Sequence, residues 1–263
     1  MTTQPEAPKH VRANPRLSTW VRVDGDGTVH VQCGKVELGQ GILTALTQIA
    51  ADELAADPTR VLVHGATTAG GPDEGPTAGS MSVADSGEAV RAACAHARWL
   101  FAAAAARRFG VRPADVDARD GGFGPRDADG WATYADLAPD VDLEVDIDVS
   151  VPTTKAGDAA VTGKSMPRVD LPDKVRGRAR FIQDIVLPGQ LWGQVVRPPS
   201  PAAVLVDWRP RRSRRCPVSS LSSAMGRSSV WSPTTSTGRT QPPRPCAVRR
   251  PGRRPSRCPT TVT

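Results

Sequence analysis

The sequence predicts an α+β fold for residues 1–208 and a basic, disordered tail for residues 209–263. Short runs of alternating apolar and polar residues, bounded by Gly, Pro and Asp, predict strands. Two longer stretches with apolar residues at helical spacing predict helices. The third observation is a break in charge. Residues 209–263 hold 13 Arg, no Lys and no Asp or Glu, while the whole chain is +7, which leaves −6 for the first 208 residues. The pI of about 9.6 therefore belongs to the tail. A mildly acidic front suggests no nucleic-acid partner.

The elements follow in order. Residues up to about Pro15 read as a loose polar arm. Thr19-Trp20-Val21-Arg22-Val23 alternates as a strand, Asp24-Gly25-Asp26-Gly27 supplies a turn, and Thr28-Val29-His30-Val31-Gln32-Cys33 returns as the second arm of a hairpin. After Gly39-Gln40-Gly41, the residues Ile42, Leu46, Ile49 and Leu54 share one helical face, and Asp57-Pro58 ends that helix. Residues 60–65 read as a strand and 67–80 as a Gly/Pro/Thr loop. Residues 82–109 form an Ala-rich helix, with Ser82 and Asp85 as its start signal and Gly110 as its stop. Residues 140–148 alternate acidic and apolar, and 152–158 read as a linker. A second unit opens with strands at 178–185 and 191–196, joined through Leu187-Pro188-Gly189.

Beyond Trp208 the chain is Arg, Ser, Pro and Thr without a periodic apolar face, so it buries too little to offset the entropy of ordering. One reading is a disordered arm that binds anions. The favoured reading is a shift of reading frame shortly before Cys216. With GC-rich codons assumed and the bases regrouped from each third base, residues 216–227 translate as a Val-rich strand and a turn, and residues 227–235 as a second strand. Third bases incompatible with that translation would end the idea.

No apolar run approaches the ~18 residues of a membrane span, and the first residues show no basic stretch followed by an apolar one. Five Cys without a CxxC pair support neither a disulfide framework nor a zinc site, and a reducing cytoplasm fits them.

Two turns deliver the chain into helices: Glu37-Leu38-Gly39-Gln40-Gly41 before Ile42, and Thr77-Ala78-Gly79-Ser80-Met81-Ser82 before Val83. Helix N-termini carry unpaired N–H groups and the positive end of a dipole, glycine permits close approach, and hydroxyls add donors. Two such ends in one unit could grip a pyrophosphate or another extended anion; ordinary N-capping with glycine in tight turns is the alternative. Cys33 and Cys94 read as small apolar fillers, and His96 as a surface or packed histidine. His30 and His64 lie on strands with no second ligand at metal spacing. Glu37 is a carboxylate with either a catalytic or a plain surface role.

Together, Gly34-Lys35-Val36-Glu37-Leu38-Gly39-Gln40-Gly41, the helix ending Ala50-Ala51-Asp52-Glu53-Leu54, and the Thr77–Ser82 run resemble a segment of a known family. It is the molybdopterin-binding large subunit of the xanthine dehydrogenase/aldehyde oxidase family, and the nearest subgroup is the isoquinoline 1-oxidoreductase and nicotinate or aldehyde dehydrogenase type. Val161-Thr162-Gly163-Lys164-Ser165-Met166-Pro167-Arg168-Val169-Asp170-Leu171-Pro172-Asp173-Lys174-Val175-Arg176-Gly177 and Arg197-Pro198-Pro199-Ser200-Pro201 resemble the start of that family's α/β hammerhead domain. The resemblance divides the chain into a molybdopterin-binding-like segment at 14–150, the beginning of a hammerhead at 160–208, and the tail at 209–263.

The resemblance implies an oxidoreductase that hydroxylates aldehydes or N-heterocycles with a molybdenum–pterin cytosine dinucleotide, passing electrons to a small [2Fe–2S] subunit. It implies pterin or phosphate contacts at Gly39, Gln40 and Gly41, and pyrophosphate contacts at Thr77, Gly79, Ser80 and Ser82. The family's active-site glutamate, in a Gly-rich motif of a much longer subunit, has no counterpart in these 263 residues. The expectation is therefore an N-terminal fragment, inactive alone, with no catalytic residue and no metal ligand of its own. The competing expectations are a non-catalytic protein whose Arg-rich tail binds nucleic acid or another polyanion, and a molybdopterin-binding accessory protein.

Overall fold

The computed structural model describes residues 6–126, 129–178, 181, 184–188, 190, 192–196, 224–225 and 229–234. The Arg197–Pro201 run, the join at Trp208, and Cys216, Cys246 and Cys258 lie outside the described residues. The chain divides into two units, Met1–Ala179 and Arg180–Thr263.

The first unit begins with a short helix, α1 (Lys9–Ala13), where a loose arm is expected. It is held because His10 and Val11 are buried, and because the Asn14 side chain donates to Asp73 O (2.9 Å) and accepts from Asp73 N (3.0 Å). The hairpin forms as its turn residues require. Strands β1 (Val21–Val23) and β2 (Val29–Gln32) pair antiparallel, with Gly27 left-handed at φ 83° and Asp26 Oδ1 accepting from Thr28 N. Helix α2 (Ile42–Leu54) then crosses over and delivers β3 (Val61–His64) parallel to β2, as a parallel neighbour demands. Ile42, Leu46, Ile49 and Leu54 of α2 are all buried.

Helix α3 (Gly87–Phe109) starts later than its Ser82/Asp85 signal predicts. A π-helical turn, Ser82–Ser86, precedes it, and no side chain caps that turn. Gly110, left-handed at φ 68°, closes the helix. The Ala-rich sequence lets α3 lie close against α2; a Cβ on Gly87 would sit 3.2 Å from Ile49 Cδ1. No element is expected from pattern between Gly110 and Asp140. An antiparallel sheet nevertheless forms there from β4 (Val116–Arg119), β5 (Gly122–Pro125) and β6 (Ala132–Thr133). Its tight turn uses Asp120 and Gly121, both at positive φ, which is the Asp-Gly hairpin signal. Helix α4 (Tyr134–Leu137) follows, capped by Thr133 and Asp136. Phe101, Phe123 and Tyr134 cluster with ring centroids 4.7–6.1 Å apart, and the Tyr134 hydroxyl donates to Leu54 O at 2.8 Å.

The acidic alternating stretch runs beside residues 15–18, through Leu17 N to Val145 O, Ser18 N to Leu143 O, and Ile147 N to Pro15 O. Val141, Leu143, Val145 and Ile147 pack toward the core, which explains the alternation. Residues 160–178, expected to open a second domain, belong to the first unit, with α5 (Leu171–Val175) near its end.

In the second unit, Asp184 N donates to Phe181 O and Phe181 N to the Asp184 carboxylate; the rest of the strand expected at 178–185 lies partly outside the described residues. Strand β7 (Trp192–Val196) forms as expected. Two more strands, β8 (Ala224–Met225) and β9 (Ser229–Thr234), lie in the stretch expected to be disordered, in the sheet order β7-β9-β8. A ladder uses backbone amides, so it does not need the apolar periodicity that the stretch lacks. Pro233 of β9 stands opposite Gly193 of β7, beyond the two residues that β8 pairs.

Candidate functional site

The two predicted loops come together. Gly34 allows it: a Cβ there would sit 2.8 Å from Glu74 Cβ and press on Pro72 O. Gly34 N donates to Glu74 Oε2 at 2.6 Å. The buried Lys35 Nζ donates to Glu74 O at 2.7 Å and Pro76 O at 3.4 Å, and Val36 N donates to the Thr77 hydroxyl at 3.0 Å. Thr77 thus joins the second loop to the first.

The first loop already holds an anion of its own. The Glu37 carboxylate accepts from Gly39 N (2.8 Å), Gly41 N (2.9 Å) and Leu43 N (3.4 Å), which fills the N-terminal end of α2. Gly39 and Gly41 reach this geometry at φ 102° and 82°. The Gln40 side chain folds back, with Nε2 donating to Val36 O and Oε1 accepting from Leu38 N. Arg168 closes the loop. Its Nη1 donates to Gly39 O at 2.8 Å, its Nη2 lies 3.5 Å from Glu37, and it grips Asp170 through Nε and Nη2 at 3.0 and 2.8 Å. The Arg168 guanidinium and Lys174 hold the Asp170 carboxyl far below the usual carboxylate range, although burial opposes them.

The second loop differs. Gly79 and Ser80 are left-handed at φ 72° and 58°, and Ser80 is exposed. Among the described residues, no side-chain bond engages the Ser80 or Ser82 hydroxyl, and no side chain caps the turn at Ser82. Asp85 N donates to Met81 O at 2.7 Å, and no bond among the described residues uses the N–H of Ser82, Val83 or Ala84.

Sequence reasoning missed the polar face of α2. Thr44, Gln48 and Asp52 stand one turn apart and each binds the 160–169 segment. Asp52 accepts from Ala160, Val161 and Thr162 N at 2.7–2.8 Å; Gln48 Nε2 donates to Val161 O and Lys164 O; Thr44 Oγ1 accepts from Val169 N. Burial raises the Asp52 carboxyl, but these bonds outweigh it and leave it below its ordinary value. The signal was polar residues at i, i+4 and i+8, Thr44, Gln48 and Asp52, which line one face of the helix. A cleft of about 610 Å³ lies by the other end of α2, among Asp52, Asp57, Arg98, Arg119, Asp120 and Thr154. None of the predicted site residues lines it.

Cys33 and Cys94 are buried free thiols; burial pushes Cys33 up to about 11 and Cys94 higher still. Neither supplies a thiolate near neutrality. His96 is packed, its Nδ1 accepting from Asp148 N at 3.1 Å. His30 Nδ1 meets His64 Nε2 at 2.7 Å, and His30 Nε2 meets Asp24 Oδ2 at 2.7 Å. Among the described residues, no group of three or more His, Cys, Asp or Glu could hold a metal ion, and no helix is long and apolar enough to cross a membrane.

Burial lowers both His64 and His96 below 6.5; His30 and Arg22 add to this at His64, while Asp24 opposes it, and Asp148 opposes it at His96. A depressed histidine favours the folded state only while neutral, so this contribution is present above pH 6.5 and is lost as pH falls through 6.5 toward the folded-state values. Urea unfolding should therefore show lower stability at pH 5.5 than at pH 7.5, with the difference reduced in a His64→Gln/His96→Gln variant. Equal slopes in both proteins would refute it.

Residues 2–167 match the family model described as a molybdopterin cofactor-binding domain. The chain is 33% identical over 183 residues to the B subunit of nicotinate dehydrogenase from Pseudomonas putida, covering 70% of this chain and 15% of that protein. It is 30% identical over 232 residues to the beta subunit of isoquinoline 1-oxidoreductase from Brevundimonas diminuta, covering 73% of this chain and 29% of that one. The chain thus spans less than a third of the length of these relatives. The crystal structure of quinoline 2-oxidoreductase from Pseudomonas putida 86 superimposes with a TM-score of 0.39 at 22% identity, over 48% of this chain and 18% of that one.

Proposed function

Because the chain belongs to the molybdopterin cofactor-binding domain family, we propose that it is the N-terminal part of a molybdenum hydroxylase large subunit and is inactive alone. The intact family uses molybdopterin. The observation that supports cofactor contact in this chain is the uncapped start of the Ser82 turn beside the Thr77–Ser82 loop, inside the stretch that the family model matches. The N–H groups of Ser82, Val83 and Ala84, unbonded among the described residues, and the Ser80 and Ser82 hydroxyls fit the pyrophosphate of a dinucleotide, together with Thr77 and Gly79. The Gly39–Gly41 loop does not fit a phosphate, because Glu37 already accepts its N–H groups. Of Gly39, Gln40 and Gly41, only Gln40 has a backbone N–H without an acceptor among the described residues; it fits a carbonyl or ring nitrogen of a pterin, with Gly39 and Gly41 shaping the loop around Glu37.

When bound, the cofactor supplies oxygen-insertion and redox chemistry on an aldehyde or N-heterocycle, and the protein orients it. The chain's own residues bind and shape; none is proposed as catalytic. A small [2Fe–2S] subunit is the proposed partner of the intact protein. Residues 160–208 are proposed as the beginning of a hammerhead, and the tail at 209–263 as its continuation read in a frame that shifts shortly before Cys216.

Sequencing the gene and co-expressing it with the small subunit test this. The present chain should show no aldehyde- or heterocycle-dependent dye reduction, whereas a frame-restored gene should show it together with bound molybdenum. Activity of the 263-residue chain would refute the fragment reading.

A further inference from the structure

We propose that residues 154–170 form a strap along α2 whose end, Arg168, is the positioning residue of the Gly39–Gln40 peptide; this rests on the cofactor reading above. The strap starts at the C-terminal end of the helix, where Thr154 N and Oγ1 donate to the buried Glu53 carboxylate. It passes Asp52, Gln48 and Thr44 in turn, each anchoring it with a polar side chain. It arrives at the N-terminal end, where Arg168 takes the carbonyl of Gly39. The polar face of α2 is thus a row of anchors leading to the loop.

The geometry at the end of the row is specific. Asp170 is buried and takes the Arg168 fork through two bonds, so the guanidinium is rigid and its remaining Nη1 is aimed at Gly39 O. A planar trans peptide points its C=O and N–H in opposite directions. With Gly39 O drawn to Arg168, the N–H of Gln40 faces the other way. Of the loop's amides, Leu38, Gly39, Gly41 and Leu43 N–H have acceptors. No bond among the described residues uses the N–H of Gln40, and Gln40 is exposed. Glu37 and Ile42 N–H likewise have no bond among the described residues, but only the Gln40 N–H belongs to the peptide that Arg168 orients, so Arg168 presents it as a donor to a ligand carbonyl or ring nitrogen. Lysine cannot replace it, because a compact ammonium cannot grip Asp170 bidentately and reach Gly39 O at fixed angle.

Amide hydrogen exchange on the full chain, with Arg168→Ala and Arg168→Lys, tests the strap without any cofactor. In both variants the bonded amides of Gly39, Gly41 and Leu43 should exchange roughly tenfold faster or more, while the unbonded Gln40 amide and those of β1, β2, β3 and α3 stay unchanged. Unchanged loop exchange, rescue by Arg168→Lys, or uniform loosening of the unit would each overturn the positioning role. A second arm adds free pterin at millimolar concentration to the ¹⁵N-labelled chain. The Gln40 amide signal should shift in the parent and not in Arg168→Ala. If the loop loosens as expected and the parent shows no shift, the strap stands and the pterin reading of the loop fails.

Discussion

Replacing Glu53 by Ala is expected to lower the free energy of unfolding by about 3–5 kcal/mol, the usual cost of stranding the partners of a buried charge. The Glu53 side chain is fully buried. It accepts from Thr154 N at 2.9 and 3.1 Å and from the Thr154 hydroxyl, and it faces Arg91 at 3.5 Å and Arg98 at 4.0 Å. Removing it leaves the Thr154 N–H without its acceptor and takes the opposite charge from Arg91 and Arg98, which keep, among the described residues, only their bonds to Thr154 and Pro152. Glu53→Gln keeps the shape and an acceptor but removes the charge, and should cost roughly 1–3 kcal/mol. Chemical denaturation of the two variants against the parent measures both. A loss under about 1 kcal/mol in Glu53→Ala would mean that α3 and the strap do not depend on this carboxylate.

Trp20→Ala should cost a similar amount, about 3–5 kcal/mol. Its ring is completely buried, and its Nε1 donates to Asn14 O at 2.8 Å. Beyond the cavity, the change releases the N-terminal segment. Asn14 is bonded at both ends of its amide to Asp73, and the neighbouring Glu74 takes Gly34 N, so loosening Trp20 reaches the second candidate loop. Trp20→Phe fills most of the volume and should lose only about 1 kcal/mol for the hydrogen bond. Limited proteolysis should cut Trp20→Ala near residues 8–15 before any other site. Cleavage elsewhere first would show that the segment is held independently of Trp20.

The elements that were legible in the sequence are those fixed by their own neighbours. The β1–β2 hairpin is written in Asp24-Gly25-Asp26-Gly27, and the buried face of α2 in Ile42, Leu46, Ile49 and Leu54. The β4–β5 hairpin carried an equally local signal in Asp120-Gly121, but its strands are short and poor in β-branched residues, so no alternation announced them. The Ser82/Asp85 pair looks like a capping box, yet the backbone makes a π turn there and neither side chain caps it. The site was legible as two loops before two helices. What stayed hidden was that Glu37 fills one helix end, because a carboxylate four residues before Gly41 reads equally well as a surface residue. The strap was hidden for another reason: its anchors on α2 find their partners more than a hundred residues away, and no local pattern encodes a contact at that range.

That separation sets a timetable. Ala160 N meets Asp52 across 108 residues, Val169 N meets Thr44 across 125, and Arg168 meets Gly39 across 129. At a synthesis rate of about 5–20 residues per second, the ribosome makes α2 roughly 6–25 s before the last of these partners. The hairpin, α2, β3 and α3 can associate in that interval, because their contacts are nearer in sequence and cost less chain entropy to close. Thr44, Gln48 and Asp52 remain hydrated until the strap arrives and displaces their water. The loop at Gly39 is thus made well before the strap, yet it takes its final shape only when the strap arrives.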